Sequence, residues 1–146
     1  MKIILIVAAA LTQAPPAPTL NLVCTGTASK DERVGSTLDL LSGNAHTERV
    51  GSTDSVSFQL NPDNTGTARL PRRLQSSYKQ ANPDGSFNLI DVAREQDEIT
   101  GRVRLHANYK PRFRLDRITG VVTLEGVIGS FSGLCQTYDP VAPRKF

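Results

Sequence analysis

The chain has no tryptophan and few other aromatic residues. Of its 146 residues only five are Phe and three are Tyr, and Met occurs once. A hydrophobic core must therefore be built mainly from Val, Leu, Ile and Ala, and an added cross-link would help to stabilise it. The same scarcity argues against single-stranded nucleic acid as a ligand, because such sites interleave basic with aromatic side chains. We expect no nucleic-acid partner.

Residues that carry catalysis or bind metals are also scarce. The two histidines, His46 and His106, lie far apart in the sequence and nothing connects them, so we expect no metal and no cofactor. A nucleophile-elbow pattern is missing, since Gly129–Gly133 reads GSFSG within a predicted strand. These absences argue against an enzyme, although a hydrolase of unrecognised type stays an alternative.

Cysteine occurs only twice, at Cys24 and Cys135. In an exported chain two cysteines predict one disulfide, and only one pairing exists. No CxxC spacing or nearby histidine favours metal binding or redox chemistry instead. The bond would enclose almost the whole mature domain and, in the chain-entropy model, stabilise it by roughly 4–5 kcal/mol.

Long apolar runs are missing, apart from Ile3–Leu11, which follows Lys2 at the N-terminus. This run is too short to span a bilayer, and small residues follow it, as in a secretory signal. We therefore predict a cleaved signal peptide and a Pro-rich leader over residues 1–17, and export to the periplasm or beyond. The later strands are short and the aromatic residues too few for an interfacial girdle, so we expect no transmembrane protein.

The remaining residues, 18–146, show the pattern of a single all-β domain. Apolar and polar residues alternate in several short segments, most clearly in residues 99–107. Turn sequences such as Asn61–Gly66 and Asn82–Gly85 separate these segments. About 7–8 short strands joined in this way predict an antiparallel up-and-down barrel or a sandwich. Both cysteines lie on apolar faces, of the first and the last strand, so their disulfide would join these two strands.

One hairpin register follows from the residues around Gly120. If Asp116 pairs with Val121, Leu115 meets Val122 and Phe113 meets Leu124, so the apolar faces agree. We therefore predict a hairpin in which Arg112 and Arg114 point outward.

Residues 29–53 differ from the rest of the chain. They are rich in Ser, Thr, Gly, Asp and Glu, and the string ERVGST occurs twice, at residues 32–37 and 48–53. Two copies do not make a solenoid, which needs at least three units. We predict a polar, mobile surface insert with one helical turn or a short edge strand at residues 38–41.

Several strings resemble a group of small exported proteins of Gram-negative bacteria. They are CTGT at residues 24–27, RLDRITG at 114–120, SGLC at 132–135 and RKF at 144–146. These motifs are structural, namely turns and the cysteine pair. The group is uncharacterised, so the resemblance implies no activity and no functional residues.

Charge is distributed unevenly along the chain. Residues 69–117 hold 11 Lys or Arg and 6 Asp or Glu, whereas residues 18–68 hold 3 and 6. Four arginines share the outer face of one predicted hairpin, which makes them a candidate anion-binding set: Arg102, Arg104, Arg112 and Arg114.

Three functional classes follow from these observations. The first is a non-enzymatic binding or interaction module of the cell envelope, whose partner is an acidic protein or a polyanionic envelope component. The alternatives are a lipocalin-like carrier of a small apolar ligand and the unrecognised hydrolase.

Overall fold

A computed structural model describes residues 18–77 and 79–139, so the predicted signal peptide and leader over residues 1–17 lie outside the described residues. The regular secondary structure of the described part is almost entirely β-strand, with one short α-helix and one 3-10 turn, Arg72–Leu74. In chain order the strands and the helix are β1 (Leu20–Val34), α1 (Thr37–Ser42), β2 (His46–Leu60), β3 (Gly66–Arg69), β4 (Phe87–Arg94), β5 (Glu98–Val103), β6 (Arg112–Asp116), β7 (Val121–Glu125) and β8 (Gly129–Thr137).

The eight strands form a closed antiparallel barrel in which each strand pairs with its neighbours in the chain. β1 also pairs with β8 and so closes the sheet, and Cys24 stands opposite Cys135 in that register. The two cysteines form a disulfide across this seam. The prediction of an all-β fold with a disulfide joining the first and last strands is confirmed, and of the two architectures the barrel is the one formed.

The barrel interior is filled by apolar side chains from every strand. Two rings meet inside it, with the centroids of Phe58 and Phe113 5.1 Å apart. The 3-10 turn places Leu74, which is 1% exposed, in the same cluster. Because the aromatic residues are few, aliphatic residues form most of this core: Leu22, Val56, Leu60, Leu70, Leu89, Ile99, Val103, Leu105, Leu115, Val122 and Leu124.

The predicted hairpin of β6 and β7 has the expected register, with Leu115 opposite Val122 and Phe113 opposite Leu124. β5 is shorter than predicted. It ends at Val103, because the backbone then turns tightly and the amide of Leu105 donates to the carbonyl of Tyr109.

Residues 29–53, which the sequence predicts as a polar, mobile surface insert, form the outer part of a hairpin of β1 and β2 with α1 at its end. β1 and β2 pair continuously from Leu20 with Leu60 to Val34 with His46. Their outer parts extend past Lys30, the last residue of β1 that pairs with β8. The helix α1 caps this extension, and none of its residues is buried. Of the two alternatives predicted for residues 38–41, a helical turn or a short edge strand, the helical turn is the one formed.

No helix among the described residues is both long enough and apolar enough to cross a membrane.

Candidate functional site

Two of the predicted arginines stand directly opposite each other on the outer wall of the barrel. Arg102 on β5 is the register partner of Arg112 on β6. Side chains of opposite residues on neighbouring strands begin about 4.5–5.5 Å apart, and two cations in this arrangement repel each other. An anion between them would remove that repulsion.

A β-bulge in β4 brings a carboxylate to the same wall. The register shifts between Ile90 and Ala93, so that Asp91 and Val92 face the single residue Gly101 on β5. Asp91 takes a positive φ of 53°, which few residue types other than Gly adopt readily. The extra residue puts Asp91 on the outside of the barrel, with Oδ2 3.7 Å from Nε of Arg102. This ion pair is loose, and the carboxylate remains 67% exposed.

Arg114 lies two residues along β6 from Arg112 and so on the same face. It is opposite Thr100 on β5 and Thr123 on β7. Its Nε donates to Oε2 of Glu98, at the far end of β5. The guanidinium group is still 69% exposed, so its other N–H groups remain accessible.

On the side of β7, the register partner of Arg112 is the acidic residue Glu125. Among the described residues, no acidic group lies within ion-pair distance of Arg112. It is therefore the least neutralised cation of the wall. The groove that these strands form is lined by Asp91, Thr100, Gly101, Arg102, Arg112, Phe113, Arg114, Thr123 and Glu125.

The fourth predicted arginine, Arg104, lies apart from this groove. It follows the end of β5, and its amide donates to the carbonyl of Asn88 on β4. Its side chain is exposed and is not part of the groove lining. The structure thus brings three of the four predicted arginines together, because the chain leaves the β5 ladder before Arg104.

The groove offers hydrogen-bond donors of fixed direction and fixed charge. Guanidinium groups remain charged at every physiological pH and bind carboxylate, phosphate or sulfate oxygens with two parallel N–H bonds. Threonine hydroxyl groups beside them can bind neutral oxygens of the same ligand. No group of three or more His, Cys, Asp or Glu side chains in the described ranges is arranged to hold a metal ion.

The carboxylates with lowered pKa values lie in turns and helix caps outside the groove. The hydroxyl and amide groups of Thr65 lower the pKa of Asp63, and those of Ser86 lower the pKa of Asp84 in the same way. The amides of Thr119 and Ile118 lower the pKa of Asp116. These carboxylates accept hydrogen bonds that stabilise the turns.

Two acidic residues of the groove were missed by the sequence analysis, for different reasons. Glu125 could have been found, because the predicted pairing of Phe113 with Leu124 also places Arg112 opposite Glu125. Asp91 gives no such signal, since a bulge changes which face a residue occupies and no local motif marks it.

Comparisons of this chain with protein-family models, with curated proteins and with solved structures find no match.

Proposed function

We propose that this protein is an exported, non-enzymatic binding module that takes anionic groups of an acidic protein or an envelope polymer into the groove of β4–β7. The observation that carries the proposal is the direct opposition of Arg102 and Arg112, since Arg112 forms no ion pair with any acidic side chain of the described residues. Such an arrangement gains stability when an external oxyanion binds between the two guanidinium groups.

Two further features support a binding module. The interior side chains pack against one another, as Phe58 and Phe113 do, which favours an external ligand over a carried apolar one. A disulfide is typical of oxidising compartments outside the cytosol, which supports export.

The nearby carboxylates Asp91, Glu98 and Glu125 limit the affinity for any single anion. Binding should therefore be modest at each group and should grow with the number of anionic groups along the ligand. Salt should weaken it, because the arginines are exposed.

The test is binding to heparin, used as a soluble and immobilised polyanion. Replacing Arg102 and Arg112 with Gln removes two contacts of about 0.2–1 kcal/mol each, a loss of roughly 2- to 30-fold in affinity. The matched control replaces Arg49 and Arg69 with Gln, since both are exposed arginines that already pair with carboxylates elsewhere. Both double variants have the same net charge.

The proposal predicts that only the Arg102/Arg112 variant elutes at clearly lower salt than the native protein. Equal elution of the two double variants would mean that net charge alone decides retention, and the groove would then have no binding role.

A further inference from the structure

The strand β2 has a long unpaired edge. It spans 15 residues, but β3 pairs only with its last four, Ser57–Leu60. The backbone groups of His46–Val56 that point away from β1 have no backbone partner among the described residues. No proline interrupts this edge, and a free edge of this kind is a template for another strand.

We propose that this edge pairs with the same edge of a second copy of the chain, in an antiparallel two-fold dimer. An edge of unpaired N–H and C=O groups is satisfied by another extended strand, and a second copy supplies an identical one. A two-fold axis perpendicular to the sheet leaves each side chain on its own face of the sheet, and side chains alternate between the faces along a strand. Even-numbered residues can therefore pair only with even-numbered ones, and odd-numbered only with odd-numbered.

The charges of the side chains favour one register among those whose two-fold axis lies near the middle of the unpaired edge. Centring the pair on Gly51 would place Glu48 opposite Asp54 of the second copy, twice. Centring it on Arg49 would oppose two arginines, and like charges in these positions are destabilising. Centring it on Ser52 avoids these conflicts but places the charged Asp54 opposite the apolar Val50 of the second copy, twice. Centring it on Val50 avoids all three.

The Val50 register also provides favourable contacts. His46 then faces Asp54 of the second copy, whose carboxylate accepts one hydrogen bond, from Ser52, and has room for another. Arg49 faces Gly51, which has no side chain to collide with it, and Thr47 faces Thr53. Each pair occurs twice because the dimer is symmetric.

The exposed leucines of α1 support the same arrangement. Leu38 and Leu41 are 76% and 82% exposed at the end of the hairpin, which is unusual for two large apolar side chains on one short helix. In the Val50 register the hairpin of one copy runs toward the part of the second copy where β3 ends, at Arg69 opposite Ser57. There the leucines would gain a surface to pack against.

The first test measures the mass of the purified protein by sedimentation from about 1 µM to about 1 mM, a range that covers weak homodimers. We expect a monomer–dimer equilibrium. Val50→Lys should weaken it at least about tenfold, since two lysines would meet at the axis. The control is Val23→Lys, because Val23 is also partly exposed but lies on a part of β1 that is paired on both edges. A monomer at every concentration, or equal effects of the two variants, would overturn the proposal.

The second test determines which residues meet at the two-fold axis, at a protein concentration where the dimer is populated. Both native cysteines are in the disulfide. Val50→Cys would place two new thiols opposite each other, so a covalent dimer should form under mild oxidation. Ser52→Cys would place them four residues apart along the strands, about 13 Å, which is too far for a disulfide. Cross-linking of Ser52→Cys without cross-linking of Val50→Cys would show that this pairing is wrong.

Discussion

The ring of Phe113 on β6 lies against the backbone of Gly101, its register partner on β5. A Cβ atom on Gly101 would come within 2.6 Å of the ring and 3.3 Å of Val92. The absence of a side chain at Gly101 therefore lets the largest core residue of this wall fit inside the barrel. The outer side of the same strand pair carries Arg102 and Arg112, so this packing also supports the groove.

We predict that Gly101→Val destabilises the barrel by about 1–3 kcal/mol, because the ring of Phe113 must move within a filled core. Urea unfolding measures this change. Gly51→Ala is the matched control, since a Cβ at Gly51 meets its nearest neighbour at an ordinary 3.4 Å. Similar unfolding midpoints for the two variants would contradict this account of the packing.

The disulfide should be a major contributor to stability. Cys24 and Cys135 are 111 residues apart, and cross-linking a loop of that length gives about 4–5 kcal/mol in the chain-entropy model. We predict that a Cys24→Ser/Cys135→Ser variant unfolds at a much lower urea concentration than the native protein. A reducing agent should lower the native midpoint toward that of the variant and leave the variant unchanged. An unchanged native midpoint after complete reduction would argue against this role.

Stability should fall as the solution is acidified. The pKa values of Asp63, Asp84 and Asp116 are lowered in the folded protein by hydrogen bonds that the unfolded chain lacks. A lowered folded-state pKa gives stability that is present above the unfolded value, near 4, and is lost as pH falls through the folded value. We therefore expect the urea midpoint to decline below about pH 4.

Asparagine variants of these three residues provide the control for that pH dependence. Asparagine keeps an acceptor oxygen for the turn but cannot titrate. The triple Asp→Asn variant should have a flatter pH profile between about pH 5 and pH 2 than the native protein. An equally steep decline in the variant would place the pH dependence elsewhere in the chain.

The outer part of the β1–β2 hairpin should be dispensable for the fold. None of residues 31–49 is buried, and the ion pair of Asp31 with Arg49 is largely exposed. Glu32 also pairs with Arg73, whose side chain is 29% exposed, so the shortened protein loses one partly buried ion pair. Replacing residues 31–49 with Asn-Gly should change the stability by less than about 2 kcal/mol and leave the sheet spectrum in circular dichroism intact. A protease should also cleave the native chain first in this segment. Global unfolding of the shortened protein would show that the hairpin is part of the barrel's core.

The sequence predicts an antiparallel all-β fold, a barrel or a sandwich, because the alternation of apolar and polar residues shows which face of each strand points inward. Residues 112–124 illustrate this: the Gly-containing turn sets the hairpin length, and the apolar residues on both sides then agree in only one register. The sequence predicts a β5 that is longer than the observed strand, and this difference also has a physical cause. Leu105 continues the alternation and is buried, but it reaches the core from a tight turn, so periodicity alone cannot show where the strand ends.

The groove could be predicted only in part. The alternation of inward and outward side chains along a strand places Arg102, Arg112 and Arg114 on the outer wall. The hairpin register adds Glu125. The bulge at Asp91 depends on how Val92 packs inside the barrel, which local sequence does not encode. The early end of β5 separates Arg104 from the other three for a similar reason.

The repeated string ERVGST also shows that a short local sequence does not determine its own secondary structure. In its first copy, Gly35 takes a φ of 151° and Ser36 caps α1, so the string ends a strand and starts a helix. In its second copy, residues 48–53 lie within the uninterrupted strand β2. The residues that follow decide the outcome: a leucine-rich helical turn after the first copy, and alternating strand residues after the second.

The strands that close the barrel are also the first and the last of the fold to leave the ribosome. β1 pairs with β8 through residues about a hundred or more positions apart in the chain, and contacts of such separation form slowly. A chain whose synthesis stops before Gly129 would have a sheet with open edges at both β1 and β7. Such edges favour aggregation, so truncated products of this protein should be insoluble. Whether a newly made chain stays soluble therefore depends on its final strand, β8.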